Sequence, residues 1–295
     1  MKDKFFGAIT ALATPFTESG QVDVPALKRL VRVQIEGRID ALVPCGSTGE
    51  AATMDWDEYE LVVKTVVEEA KGRVPVIAGA GSNDTQKAVK YSTIAKRVGA
   101  DALLHVTPFY NKPTPNGLVA HFKAVADSVG LPIILYNVPS RTGSNVSAET
   151  TLRVAREVPL VVGVKEASGN IVQMMDIVKG APDGFAVLSG DDAFTLPLMA
   201  LGGVGCISVV SNEIPGPFSD LTRAALQGNW AEARRLHYEW LDLMNANFIE
   251  TNPIPLKTAL AMMGLIKETV RLPLVALEPK NRETLRQVLK KHQLV

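Results

Sequence analysis

The chain has 295 residues, 46% of them hydrophobic and 21% charged, a balance typical of folded proteins and far from that of disordered chains. Lys plus Arg and Asp plus Glu both number 31, so the net charge is zero, and the absence of any basic run argues against nucleic acid as a partner. The length suits one large domain with an appendage, or two domains.

In chain order, "FGAITALATPF" follows two lysines and so imitates a secretory leader, but Asp3 spoils the positive start. The run is also the only strand candidate ahead of a helix at residues 24 to 36, and it is read as the first strand. Counting this one as residues 7 to 14, short apolar runs recur at 41 to 46, 75 to 81, 101 to 108, 132 to 139, 160 to 166, 185 to 190 and 203 to 210. They are continuously apolar rather than alternating, as parallel strands buried on both faces require. No run is long and apolar enough to span a membrane.

Helical patterns lie between these runs. Tyr59, Val62, Val63, Val66, Val67 and Ala70 make an apolar stripe, with Asp55 and Glu58 spaced as a capping box and Gly72 as the stop. Asp84 similarly opens a helix that Gly99 ends. Eight strand and helix units within about 225 residues predict an α/β fold, a (β/α)8 TIM barrel over residues 1–225. A doubly wound sheet is the alternative, but the Gly-x-Gly-x-x-Gly turn it favours after its first strand is absent. Residues 226–295 read as a C-terminal extension of three helices, the last opened by Asn281.

A barrel of this kind carries its site at the C-terminal ends of the strands. Lys165 ends the apolar run "LVVGVK". Buried in apolar surroundings, a lysine releases its proton more readily, and its amine can attack a carbonyl to form a Schiff base. The alternatives are a side chain snorkelling to solvent or one paired with Glu166. Tyr136 holds the matching point on the fifth strand, where a phenol passes protons only through other hydroxyls, which Ser47 and Thr48 would supply. The bland reading is a buried tyrosine satisfied by backbone.

"CGSTGE" lacks the Lys-Ser/Thr of a nucleotide loop, yet a Gly-rich turn of this kind can cradle a small carboxylate on backbone N–H groups. Arg141 offers a planar fork for a second carboxylate, although a loop arginine is commonly solvated. Asp191 and Asp192 suggest a metal pair, but adjacent acids more often cap a helix and no histidine cluster accompanies them, so no metal site is expected. Cys45 and Cys206 lie in apolar runs and read as buried free thiols, which favours a reducing, cytoplasmic setting.

In this order, "GSTGE", "TPFYNKP", "LYNVPSRTG", "GVKEASGN", "LSGDD" and "NPIPLK" resemble the dihydrodipicolinate synthase and N-acetylneuraminate lyase family of class I aldolase-like barrels, over nearly the whole chain. The resemblance implies an imine between Lys165 and pyruvate with no separate cofactor, its enamine then attacking an aldehyde. It implies that Tyr136 moves protons, linked through a hydroxyl at Ser47 or Thr48 to Tyr110, which enters a neighbouring subunit's site. The backbone of Ser47 and Thr48 would hold the pyruvate carboxylate, with Gly190 and Ile207 lining the pocket. Many members carry Thr where this chain has Ser47, but a hydroxyl survives.

"PSRTG" resembles the synthase branch, where Arg141 would grip the carboxylate of aspartate-4-semialdehyde on the way to lysine and diaminopimelate. Sugar-acid lyases, acting on 2-keto-3-deoxy sugar acids or N-acetylneuraminate, tend to lack this arginine. The family also implies a homotetramer. Lysine-inhibited members carry two histidines and a glutamate where this chain has Trp56, Tyr59 and Lys87, so weak feedback is expected; only Asn83 is kept.

Overall fold

The computed structural model describes residues 5–295. All eight apolar runs form strands: β1 (Gly7–Ala11), β2 (Ala41–Val43), β3 (Ile77–Gly79), β4 (Ala102–Val106), β5 (Ile133–Asn137), β6 (Val161–Glu166), β7 (Ala186–Ser189) and β8 (Gly205–Ser208). Every pairing is parallel, and the order β2-β1-β8-β7-β6-β5-β4-β3 runs once around a cylinder. The ring closes between β2 and β3, where Leu42 N donates to Pro75 O at 3.0 Å and Gly79 N to Pro44 O at 2.9 Å. Gly79 permits that closure, because a Cβ there would stand 2.1 Å from the Cys45 carbonyl oxygen.

The leader-like run is thus a barrel strand: β1 hydrogen-bonds to both β2 and β8. Helices α1 (Val24–Glu36), α2 (Trp56–Ala70), α3 (Thr85–Arg97), α4 (Pro115–Val129), the short α5 (Pro139–Thr142), α6 (Ala148–Glu157), α7 (Ile171–Gly180), α8 (Thr195–Ala200) and α9 (Pro215–Leu226) fill the crossovers. The chain ends in α10 (Trp230–Ala246), α11 (Ile254–Met262) and α12 (Pro279–Lys291). The described residues contain no helix long and apolar enough to cross a membrane.

Local chemistry sets these ends. Asp55 accepts from Glu58 N at 2.8 Å while Glu58 accepts from Asp55 N at 3.4 Å, a reciprocal cap on α2. The helix stops one residue before the expected glycine, because Lys71 itself takes the left-handed conformation, φ 51°, and returns its N–H to Val67 O. Asp84 caps α3 as expected. Asn281 does not open the last helix: Pro279, with φ pre-set for a first turn, does so, and Asn281 lies inside that turn with its amide on Glu250.

The strand period of two divides the apolar side chains between two cores. Ala8, Leu12, Leu103, Leu135 and Val164 face the helices, while Ile9, Ala11, Val43, Ile77, Leu104, Ile134 and Leu188 fill the barrel interior. Cys45 and Cys206 are both free and buried.

Candidate active site

Tyr136 and Lys165 are register partners on β5 and β6, so the alternation that sends one inward sends both. Both are nearly enclosed, Lys165 at 5% and Tyr136 at 7% exposure, and Lys165 Nζ lies 4.4 Å from the phenol ring centroid. Glu166, one residue on, points to the opposite face. It accepts from Asn137 Nδ2 at 3.0 Å, Ser168 N at 2.7 Å and Gln173 Nε2 at 3.2 Å. The carboxylate is therefore satisfied by these groups rather than by Lys165, and the amine projects into a cavity of about 180 Å³.

That cavity is lined by Gly46, Ser47, Thr48, Tyr136, Arg141, Lys165, Gly190 and Asp191, with Ala11, Val43 and Leu104 as apolar floor. Residues at or just past the ends of seven of the eight strands thus converge on the site, as the barrel rule predicts. Gly190 makes room for the lysine: a Cβ there would lie 3.1 Å from both Cγ and Cε of Lys165. Ile207 is fully buried in the interior cluster with Tyr136, and Val209, two residues further along, reaches the cavity instead.

The Gly46–Glu50 segment is a pair of tight turns, with Gly49 N donating to Gly46 O and Glu50 N to Ser47 O. The N–H groups of Ser47 and Thr48 have no protein acceptor among the described residues, which leaves two donors at the rim. Ser47 is exposed and Thr48 buried. Glu50 has left-handed backbone, φ 54°, and anchors the loop from below: it accepts from Lys257 Nζ at 2.6 Å and from Arg271 N at 3.0 Å. Both charged side chains of the Glu50–Lys257 pair are buried.

Arg141 sits in the last turn of α5 and donates through Nη2 to the Asn252 carbonyl oxygen at 2.9 Å, which holds the guanidinium at the cavity rim. Asp191 lines the cavity and caps a 3-10 turn by accepting from Ala193 N. Burial lifts its carboxyl above the ordinary range, against the backbone N–H groups of Ala193 and Phe194 and the charge of Lys165. Asp192 turns away and accepts from Val209 N and Val210 N, with burial raising it to about 6.

Tyr110 does not join this cluster within the chain. It projects from the loop between β4 and α4, 89% exposed, with φ 69°. A second cavity of about 430 Å³ adjoins the first through Gly46, Ser47, Tyr136 and Arg141, and extends to Tyr59, Asn83, Lys87 and Tyr91.

Two lining residues, Phe248 and Asn252, lie between α10 and α11, far in sequence from any strand end. The barrel rule does not reach them. Asn252 opens the "NPIPLK" motif, and that motif is the one sequence signal for its position.

The dihydrodipicolinate synthetase family model matches residues 4–292. This chain belongs to that family. The 4-hydroxy-tetrahydrodipicolinate synthase of Nitratidesulfovibrio vulgaris is 53% identical over 286 residues, 97% of this chain and 98% of its relative. Among solved structures, the dihydrodipicolinate synthase of Aquifex aeolicus superposes with a TM-score of 0.96 at 48% identity, covering 98% of this chain and 99% of the other. The Acinetobacter baumannii enzyme, solved in complex with pyruvate, does so with a TM-score of 0.96 at 42% identity, covering 98% and 99%. Family membership and the eight-stranded closed barrel agree with what the six ordered motifs imply.

Proposed function

We propose that the chain is a 4-hydroxy-tetrahydrodipicolinate synthase, a lyase that condenses pyruvate with L-aspartate-4-semialdehyde in the route to lysine and diaminopimelate. The observation that carries this reading is the enclosed Lys165 amine beside Tyr136, set between two anion-binding groups in one cavity. Relatives carrying that name at about half identity over nearly the full chain support it.

In this reading the Lys165 amine adds to the C2 carbonyl of pyruvate and, after loss of water, forms an iminium. Loss of a C3 proton gives the enamine, whose C3 attacks the aldehyde carbon while a proton is delivered to the aldehyde oxygen. The amino group of the second substrate then adds to the imine carbon, closes the ring and expels the lysine amine. No separate cofactor takes part. Tyr136, within reach of Lys165, carries the protons, passing them through the hydroxyls of Ser47 or Thr48. The free N–H groups of Ser47 and Thr48 hold the pyruvate carboxylate, and Arg141 holds that of the aldehyde. Gly190 leaves space for the lysine stem, and Ile207 supports the pocket from beneath.

Tyr110 completes the relay from a neighbouring protomer, in a homotetramer built as a dimer of dimers. Its near-total exposure and left-handed backbone support that role, since an aromatic side chain so placed gains nothing within its own chain. Sedimentation velocity reads the assembly directly.

The deciding test is pyruvate consumption with and without aspartate-4-semialdehyde, in the parent protein and in Arg141→Ala. Consumption that requires the aldehyde, together with an Arg141→Ala protein that still forms the pyruvate imine but no longer condenses, is the expected outcome. Unchanged turnover in Arg141→Ala, or cleavage of a 2-keto-3-deoxy sugar acid or N-acetylneuraminate in place of condensation, refutes it.

A further inference from the structure

Asn252 stands where the two anion-binding groups of the cavity meet. Its side-chain Nδ2 donates to Thr48 Oγ1 at 3.0 Å, and its backbone carbonyl accepts from Arg141 Nη2 at 2.9 Å. The residue is only 4% exposed, lines the cavity, and its Oδ1 is buried without a partner. Its contact with Thr48 is the one hydrogen bond that the side-chain amide makes among the described residues.

The contact fixes a direction. A threonine hydroxyl has one proton to give and two lone pairs to receive with. When Asn252 donates to Thr48 Oγ1, one lone pair is occupied and the Thr48 proton remains free for a second acceptor. If the side chain at 252 could only accept, Thr48 would turn its proton toward 252 and away from the cavity. The segment is held in place for this purpose at a second point: Lys257, five residues on, pairs with Glu50, two residues beyond Thr48. The same chain segment therefore grips the Gly46–Glu50 loop at both Thr48 and Glu50.

We infer that Asn252 is a positioning residue that aims the Thr48 hydroxyl proton into the cavity, toward pyruvate and the proton relay, while its backbone sets the reach of Arg141. The inference rests on the proposed function. Its specific consequence is a split between the two substrates. Removing the amide disorders Thr48 but leaves the carbonyl that holds Arg141, so the pyruvate half of the reaction suffers and recognition of the aldehyde does not.

The test compares the parent, Asn252→Ala, Asn252→Asp, Thr48→Val and the Asn252→Ala/Thr48→Val pair. Pyruvate imine is trapped with borohydride and read by mass spectrometry, alongside steady-state kinetics with each substrate varied. Asn252→Ala should lower kcat/KM for pyruvate about tenfold, the scale of one lost oriented hydrogen bond, with KM for the aldehyde within about twofold of the parent. Asn252→Asp, which accepts from Thr48 and adds a negative charge, should fall about a hundredfold. Its activity relative to the parent should recover as pH drops and the new carboxyl becomes a donor. In the double variant the asparagine change should add nothing once the Thr48 hydroxyl is gone.

Asn252→Ala with unchanged pyruvate kinetics, an Asn252→Asp no worse than Asn252→Ala, or additive losses in the double variant overturns the inference. If Asn252→Ala does not fold, the relative pH profile of Asn252→Asp decides. A parent protein that traps no pyruvate at all refutes the proposed function instead, whatever the variants do.

Discussion

Gly190→Ala tests the geometry around the lysine most directly. The new Cβ would stand 2.7 Å from the Cβ of Ala167 and 3.1 Å from both Cγ and Cε of Lys165. Carbon atoms rest at about 3.5–4.0 Å, so the deficit is about 1 Å at Ala167 and about 0.4–0.9 Å along the lysine stem. The glycine backbone cannot easily retreat, because Gly190 N donates to Glu166 O at 2.8 Å and ties β7's end to β6. The lysine side chain relieves its own 3.1 Å contacts, whereas the 2.7 Å contact with the Ala167 Cβ is relieved only by a backbone shift, at an overpacking cost of about 1–3 kcal/mol in the folded state. A displacement approaching 1 Å in a reacting atom costs about a hundredfold in rate. Borohydride trapping of pyruvate against time gives the rate of imine formation, and thermal unfolding shows whether the barrel is intact. The expected result is a folded protein with trapping slowed about tenfold to a hundredfold. A folded Gly190→Ala that traps pyruvate at the parental rate would show that the lysine stem is not confined as described.

Lys257→Met removes the cation facing Glu50 and leaves the carboxylate buried with only the Arg271 N–H as a donor. It should cost about 3–5 kcal/mol in urea unfolding, with Glu50→Gln added to it restoring most of the loss. Burial raises Glu213 to about 8 from 4.5, so the folded protein keeps a proton that the unfolded chain releases; this contribution is complete below about pH 4.5 and is lost as pH rises toward 8. Glu213→Gln should therefore flatten the decline in melting temperature between pH 5 and 8, and parallel curves for the two proteins would refute that assignment. Lysine should inhibit weakly, because Lys87 and Tyr59 line the second cavity and Trp56 packs at a tilt against Tyr91, ring centroids 4.3 Å apart, while the Lys87 ammonium repels a cationic amino acid; half-inhibition at sub-millimolar lysine would overturn this.

The strands were legible because a parallel sheet covered on both faces needs unbroken apolar runs, and eight such runs are separated by helix-length intervals. Lys165 and Tyr136 were legible for the same reason: polar groups that end such runs fall at the mouth of the barrel. The start of α2 could be read because its cap is local, confined to Asp55 and Glu58. The start of α12 could not, since asparagine and proline both mark helix beginnings and only the contact of Asn281 with Glu250 shows which does so here. Neither Asn252–Thr48 nor Lys257–Glu50 leaves any local pattern. These partners lie 204 and 207 residues apart, and a hydrogen bond over that span is visible only once the chain is folded.

The division between inside and outside explains why a barrel can hold a lysine where a core should be. Outward side chains of the strands pack against helices in the largest apolar cluster, so stability is concentrated there. The inner face is closed below by Ile9, Ile77, Ile134, Leu188 and Ile207 and can be polar above without opening that outer layer. Glu166, on the outward face beside Lys165, has its own donors in Asn137, Ser168 and Gln173, so the carboxylate next to the lysine in sequence does not pair with the amine. The Gly46–Glu50 loop has no comparable support from the sheet. It is held by Asn252, Lys257 and Arg271, all contributed by residues after α10, so the C-terminal segment sets the position of a cavity-lining loop that the strands alone leave free.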